Sequence, residues 1–144
     1  MRVEREVQIE ASPEEVYEVV MNPRCLEKWV TIHQSLADEP AGQLRKGSTL
    51  TQCLKLAGKS FEVRWTVVEN KRAERVVWEG KGPVRSKAKV IYELAPDGDA
   101  TTFFYANEYD LPGGPLGRMA SPMVKKVTAG ELDASLKKLK ALVE

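Results

Sequence analysis

The last third of the chain constrains the fold most. An alternating, aromatic-rich run over residues 101–111 predicts a β-strand, and the Pro- and Gly-rich stretch 112–117 predicts a turn. Apolar residues then recur every three or four positions to the end of the chain, which indicates one long amphipathic helix. A helix of about 27 residues spans roughly 40 Å, and a strand of about 11 residues spans about 37 Å. The helix can therefore cross a whole curved sheet, and the gap beneath it suits a small apolar molecule.

The preceding residues predict one strand, two short helices and then further strands. The first strand is predicted from Val3 to Ile9. Ser12, Pro13 and Glu15 form a helix-start pattern in which Ser12 caps and Glu15 completes a capping box. A second short helix is predicted over residues 24–27. Further strands are predicted over residues 29–36, 48–56, 59–69, 75–80, 84–94 and 101–111. We expect a single α+β domain over residues 1–144.

Composition and charge argue against several classes of partner and site. The chain has 144 residues with 42% hydrophobic side chains, enough for a core, and its net charge of +1 gives no field that would attract nucleic acid. No apolar run approaches the roughly 20 residues of a membrane span. Cys25 and Cys53 do not have a metal-site spacing, and we expect both to be reduced. These features predict a cytoplasmic protein with no nucleic-acid partner, no stable membrane insertion, no metal and no cofactor.

Three segments carry a resemblance to a known family. They are VQIEASPEEVY over residues 7–17, the stretch from Asn22-Pro23 to Trp29, and EYDLPGGPLG over residues 108–117. The chain resembles the START-like, Bet v 1-like (SRPBCC) superfamily, the polyketide cyclase/dehydrase and lipid-transport group. The resemblance implies a helix-grip fold. In that fold a curved antiparallel sheet of about seven strands wraps around a long C-terminal helix, two short helices follow strand 1, and a cavity lies between sheet and helix. The superfamily includes cyclases, lipid and quinone binders and chaperone cofactors, so the fold alone does not choose a function.

Alternation within the strands predicts which side chains would face that cavity. In most strands one set of alternate positions is charged and must face water, so the opposite set faces inward. The predicted ligand-cavity residues are Trp29, Leu50, Leu54, Val63, Trp65, Trp78, Ser86, Val90, Tyr92, Tyr105, Asn107 and Tyr109 from the strands, and Met119, Met123 and Val127 from the terminal helix. The rings and thioethers would also serve as core filler. Buried tyrosine hydroxyls and the Asn107 amide need hydrogen-bond partners, however, which favours water or a ligand among them.

His33 is the only histidine and the one candidate for acid–base catalysis near neutral pH. No carboxylate at a diagnostic spacing orients it. A tyrosine would need its pKa lowered by about three units to act as a base near pH 7. We therefore expect non-catalytic binding, transport or sensing of a small hydrophobic or amphipathic molecule. The alternatives are a polyketide-type cyclase/dehydratase and a protein-interaction module such as a chaperone cofactor or quinone/lipid assembly factor.

Overall fold

A computed structural model of the chain describes residues 1–38, 42–110 and 122–144. In this part of the chain, one antiparallel sheet has the strand order β1-β7-β6-β5-β4-β3-β2. Its strands are β1 (Arg2–Ile9), β2 (His33–Ala37), β3 (Thr49–Leu56), β4 (Lys59–Lys71), β5 (Arg75–Lys81), β6 (Lys87–Asp97) and β7 (Ala100–Asp110). The helices are α1 (Pro13–Val20), a 3-10 helix (Pro23–Cys25), α2 (Leu26–Trp29) and α3 (Pro122–Val143). This is the predicted helix-grip fold, with a curled sheet of seven strands, short helices after β1 and a long helix at the end.

The predicted capping box starts α1. The Glu15 backbone N–H donates to Ser12 Oγ at 3.2 Å, and the Ser12 backbone N–H donates to the Glu15 carboxylate at 3.5 Å. Both bonds satisfy donors that the first helical turn leaves without partners. The short helix is thereby fixed at its first residue, and Val16, Tyr17 and Val20 face the core.

Alternation along the strands separates a buried inner face from a charged outer face. In the β6–β7 ladder, Val90 pairs with Asn107 and Tyr92 pairs with Tyr105, and all four side chains are buried. The lysines at 87 and 89 lie on the opposite face of β6. The core is closed from the helix side by the leucines of α3, which are Leu132, Leu136 and Leu139.

Two predicted strands begin later than the sequence pattern indicates. Residues 26–29 form α2, so the predicted strand 29–36 is wrong at its start and β2 begins at His33. Trp29 is fully buried, and its ring packs against Tyr92 and Tyr105, so tertiary packing overrides the strand propensity of this run. Likewise, β6 begins at Lys87 rather than at Val84, which adopts a positive φ of 54° in the preceding turn.

The face of α3 that meets the sheet also differs from the prediction. Met123 is 74% exposed and Val127 is 40% exposed. The buried positions are instead Val124, Thr128, Leu132, Ser135, Leu136 and Leu139. Each exposed residue precedes a buried one by one position, which is about 100° around a helix. Their assignment to the cavity is therefore corrected. Met119, assigned with them, lies outside the described residues.

Candidate functional site

A cavity of about 60 Å³ lies between the inner face of the sheet and α3. Aliphatic and aromatic side chains form most of its wall, with polar groups at a few positions. Space of this size holds a few water molecules. The sequence-predicted residues that line it are Leu50, Leu54, Trp65, Trp78, Val90, Tyr92, Tyr105, Asn107 and Tyr109. The strands therefore bring most of the predicted set together around one space.

The remaining predicted residues lie elsewhere. Val63 and Ser86 line a second cavity of about 30 Å³. Four side chains contribute to both cavities and separate them, and these are Leu54, Leu56, Trp65 and Tyr109. Trp29 is fully buried and is not among the residues that line either cavity. The two spaces are therefore neighbours with shared side chains as their partition.

A layer of aromatic rings forms one wall of the main cavity. The ring centroids of Tyr92 and Tyr105 are 5.5 Å apart, and Trp29, which is not itself a lining residue, meets the Tyr105 ring edge-on at 5.7 Å. Burial raises the pKa of Tyr92 and of Tyr109, and the electrostatic effect of the nearby Tyr105 hydroxyl adds to both shifts. Burial also raises the pKa of Tyr105, against the opposing hydrogen bond from Asn107. All three phenols are therefore neutral near pH 7 and serve as hydrogen-bonding groups rather than bases.

A chain of three side chains links the cavity to β2. The Trp65 indole N–H donates to Gln52 Oε1 at 2.9 Å, and Gln52 Nε2 lies 2.8 Å from His33 Nδ1. Because an indole N–H can only donate, the Gln52 amide nitrogen must donate to His33 Nδ1. That bond requires an imidazole without a proton on Nδ1. Partial burial lowers the pKa of His33, against a smaller opposing effect of Glu27. His33 itself is not among the described residues that line the cavity.

A second polar group lies on the α3 side. The Thr31 hydroxyl donates to the Glu131 carboxylate, and the Thr31 backbone N–H donates to Ser135 Oγ at 3.0 Å. Glu131, Ser135 and the nearby Thr128 all line the cavity. None of these helix residues follows from strand alternation. The available signal is their spacing of three and four residues, which places them on one face of α3 beside its leucine stripe.

The indole N–H of Trp78 is an unsatisfied hydrogen-bond donor among the described residues. Its indole nitrogen is buried and has no hydrogen-bond partner among the described residues, although the ring lines the cavity. The Trp29 indole nitrogen is likewise buried without a partner among the described residues, but Trp29 does not line the cavity. Leaving a buried donor unsatisfied costs about 1–3 kcal/mol. An acceptor placed in the cavity beside Trp78 would recover part of that cost.

The described part of the chain contains neither a cluster of potential metal ligands nor a helix suited to span a membrane. Within residues 1–38, 42–110 and 122–144, no three His, Cys, Asp or Glu side chains converge as metal ligands would. Cys25 and Cys53 are both free thiols. Among the helices that the structure describes, none combines the length and the apolar character that a membrane span requires.

Comparison with known proteins identifies the family of this chain. The family described as "Polyketide cyclase / dehydrase and lipid transport" matches residues 1–144. The chain belongs to this family. The family and the fold together indicate a START-like or Bet v 1-like domain of the ligand-binding or polyketide-cyclase type. Among curated proteins, toxin Rv0910 of Mycobacterium tuberculosis is 22% identical over 121 residues, which cover 83% of this chain and 84% of the toxin.

Solved structures agree on the fold of this polyketide cyclase/dehydrase and lipid-transport family member. TTHA0849 from Thermus thermophilus superimposes with a TM-score of 0.81 at 20% identity, covering 99% of this chain and 97% of that chain. A START superfamily protein from Mycobacterium smegmatis has a TM-score of 0.73 at 20% identity, with coverage of 99% and 96%. At these identities the likeness establishes the helix-grip fold alone.

Proposed function

We propose that this domain binds a small hydrophobic or amphipathic molecule between its sheet and α3, for transport or sensing. The observation that carries the proposal is an apolar cavity lined by a few polar side chains and by Trp78, whose buried indole N–H has no partner among the described residues. Binding sites for small molecules have this character, with mostly apolar walls and a small number of placed polar groups. The two free thiols also fit a reducing compartment, so a cytoplasmic location is part of the proposal.

The cavity must enlarge if it is to bind a drug-sized ligand. Sites for drug-sized ligands measure about 300–1,000 Å³, whereas the two neighbouring spaces measure about 60 and about 30 Å³. A ligand must therefore displace the partition that Leu54, Leu56, Trp65 and Tyr109 form. The first described turns of α3 favour such opening because Met123 and Val127 face solvent there. Segments with few buried side chains open at low free-energy cost.

The cavity favours binding over acid–base chemistry. In the described lining the phenols are neutral, the single carboxylate is engaged by Thr31, and His33 is absent. General acid–base catalysis needs a group whose pKa lies near the working pH and that reaches the substrate. The described lining offers no such group, so the cyclase/dehydratase function is the weaker alternative.

The small volume also supports a second candidate, a protein-interaction module. In that case the side chains fill the space, and the solvent-facing Met123 and Val127 belong to a contact surface. Methionine is common on surfaces that accept varied partners. Substitutions inside the cavity would then leave the partner's affinity unchanged, whereas Met123→Ala would weaken it.

The proposed function is tested with an uncharged fluorescent probe such as N-phenyl-1-naphthylamine. Val90→Phe places a larger side chain in the cavity and should weaken probe binding about tenfold or more, or 1.4 kcal/mol. Ile91→Phe is the matched control, because Ile91 is equally buried but lies on the outer face of the same strand. Equal affinities in both variants, with both folded by circular dichroism, would contradict binding in this cavity.

A further inference from the structure

We propose that the cavity selects ligands whose polar end is an uncharged hydroxyl group and excludes ligands that end in a carboxylate or phosphate. This inference rests on the proposed function and adds the chemical class of the ligand. It follows from three features of the described lining: its charge, the free acceptor on Glu131 and the free donor on Trp78.

The charge of the lining is negative. Among the described residues that line the cavity, Glu131 is the only Asp or Glu, and none is Lys, Arg or His. The three tyrosines remain neutral phenols. An anionic headgroup would therefore lose its water and gain no counter-ion from these residues, while facing the Glu131 carboxylate. Burial of an unpaired charge is strongly unfavourable.

Glu131 is held in place with acceptor capacity to spare. Thr31 donates to its Oε2, and the Thr31 and Ser135 hydroxyl oxygens are 3.1 Å apart. The structure describes no donor from residues 1–38, 42–110 or 122–144 to the other carboxylate oxygen. A carboxylate accepts about four hydrogen bonds. A ligand hydroxyl can supply one of them, whereas a ligand carboxylate has no proton to donate at neutral pH.

Trp78 requires a hydrogen-bond acceptor on the ligand, whereas Glu131 requires a donor. Its buried N–H has no partner among the described residues and can only donate, so it fits a ligand oxygen with a free lone pair. A hydroxyl group carries both a donor and acceptor lone pairs and can satisfy either side chain. A purely apolar ligand would satisfy neither. The combination therefore favours alcohols and phenols over both hydrocarbons and acids.

The experiment compares decanol with decanoate at pH 8, each displacing the uncharged N-phenyl-1-naphthylamine probe. Decanol should displace the probe at a concentration about tenfold or more below that of decanoate, a difference of 1.4 kcal/mol. Part of this ratio reflects the hydration of any carboxylate, so the deciding readout is its change in Glu131→Gln. That variant keeps the side-chain shape and removes the charge. The ratio should fall to about threefold, mainly through tighter decanoate binding.

Asp133→Asn is the matched control, since it removes the same charge from α3 at an exposed position that pairs with Arg5. It should leave the decanol-to-decanoate ratio at the parent value. A ratio unaffected by Glu131→Gln, or changed equally by both variants, would overturn the inference while the proposed function stands. If neither compound nor the probe binds the parent protein, the proposed function fails and the inference fails with it.

Discussion

Adding a single methyl group at two glycines should change stability in opposite directions. A Cβ at Gly80, on the inner face of β5, would lie 2.6 Å from Val63 Cγ1 and 2.7 Å from Trp65 Cε3. Ordinary van der Waals contact begins at 3.4 Å. The Trp65 ring cannot retreat freely, because its N–H is bonded to Gln52 at 2.9 Å and the residue is buried. In contrast, a Cβ at Gly130, within α3, would meet no atom of the described residues within 4 Å.

The magnitudes follow from these contacts. Overpacking of a core costs about 1–3 kcal/mol, and the lower entropy of the unfolded chain offsets about 0.4–1 kcal/mol of it. Because the contacts of the added Cβ are shorter than 3.0 Å, the upper half of the overpacking range applies, and Gly80→Ala should lower the free energy of unfolding by about 1–2 kcal/mol. Gly130→Ala should raise it by about 0.5–1 kcal/mol, because alanine is the better helix former at an open site.

Urea unfolding followed by tryptophan fluorescence measures both effects. With a slope of about 2 kcal/mol per molar urea, the midpoint of Gly80→Ala should fall by about 0.5–1 M. Gly130→Ala should shift the midpoint upward. A Gly80→Ala protein as stable as the parent would refute the claim that β5 needs a missing side chain beneath the Trp65 ring.

Two further predictions concern the N-terminal cap and His33. Ser12→Ala removes the acceptor for the Glu15 N–H and should lower the free energy of unfolding by about 1 kcal/mol; an unchanged urea midpoint would show that the cap does not contribute. Because burial lowers the pKa of His33, the unfolded chain takes up protons first as the pH falls below about 6.5. The stability due to neutral His33 is thus complete above that pH and declines on acidification. His33→Gln should flatten this decline, which is measured by comparing the pH–stability curves of parent and variant. An identical slope in the two proteins would contradict a contribution of neutral His33 to stability.

The parts of the fold that the sequence predicted are those encoded by local patterns. The Ser12–Glu15 capping box and the alternation around Val90 and Tyr92 each depend on residues close together in the chain. The hairpin at Ala57-Gly58 is of the same kind, and both residues adopt the positive φ that such a turn requires. These features survive in the folded protein because local preference and tertiary packing agree.

The features that escaped prediction depend on contacts between distant parts of the chain. Trp29 ends a helix because its ring fits among aromatic residues of β6 and β7, which no pattern around residue 29 encodes. The Thr31–Glu131 bond joins residues 100 positions apart. The carboxylate in the cavity is therefore visible only once α3 lies across the sheet. The face that α3 presents was misassigned for the same reason, since Met123 and Val124 are equally apolar in sequence.

The central claim is that a ligand enters the cavity and meets Trp78. The most direct test is a ¹H–¹⁵N correlation spectrum of the three tryptophan indoles, recorded with increasing decanol. We expect the Trp78 N–H signal to move downfield as it gains an acceptor. The Trp29 signal should move much less, because that indole is equally unpartnered among the described residues but Trp29 is not a lining residue of the cavity. If the Trp78 signal stayed in place while decanol bound, or if both signals shifted equally, ligand binding in this cavity would be contradicted.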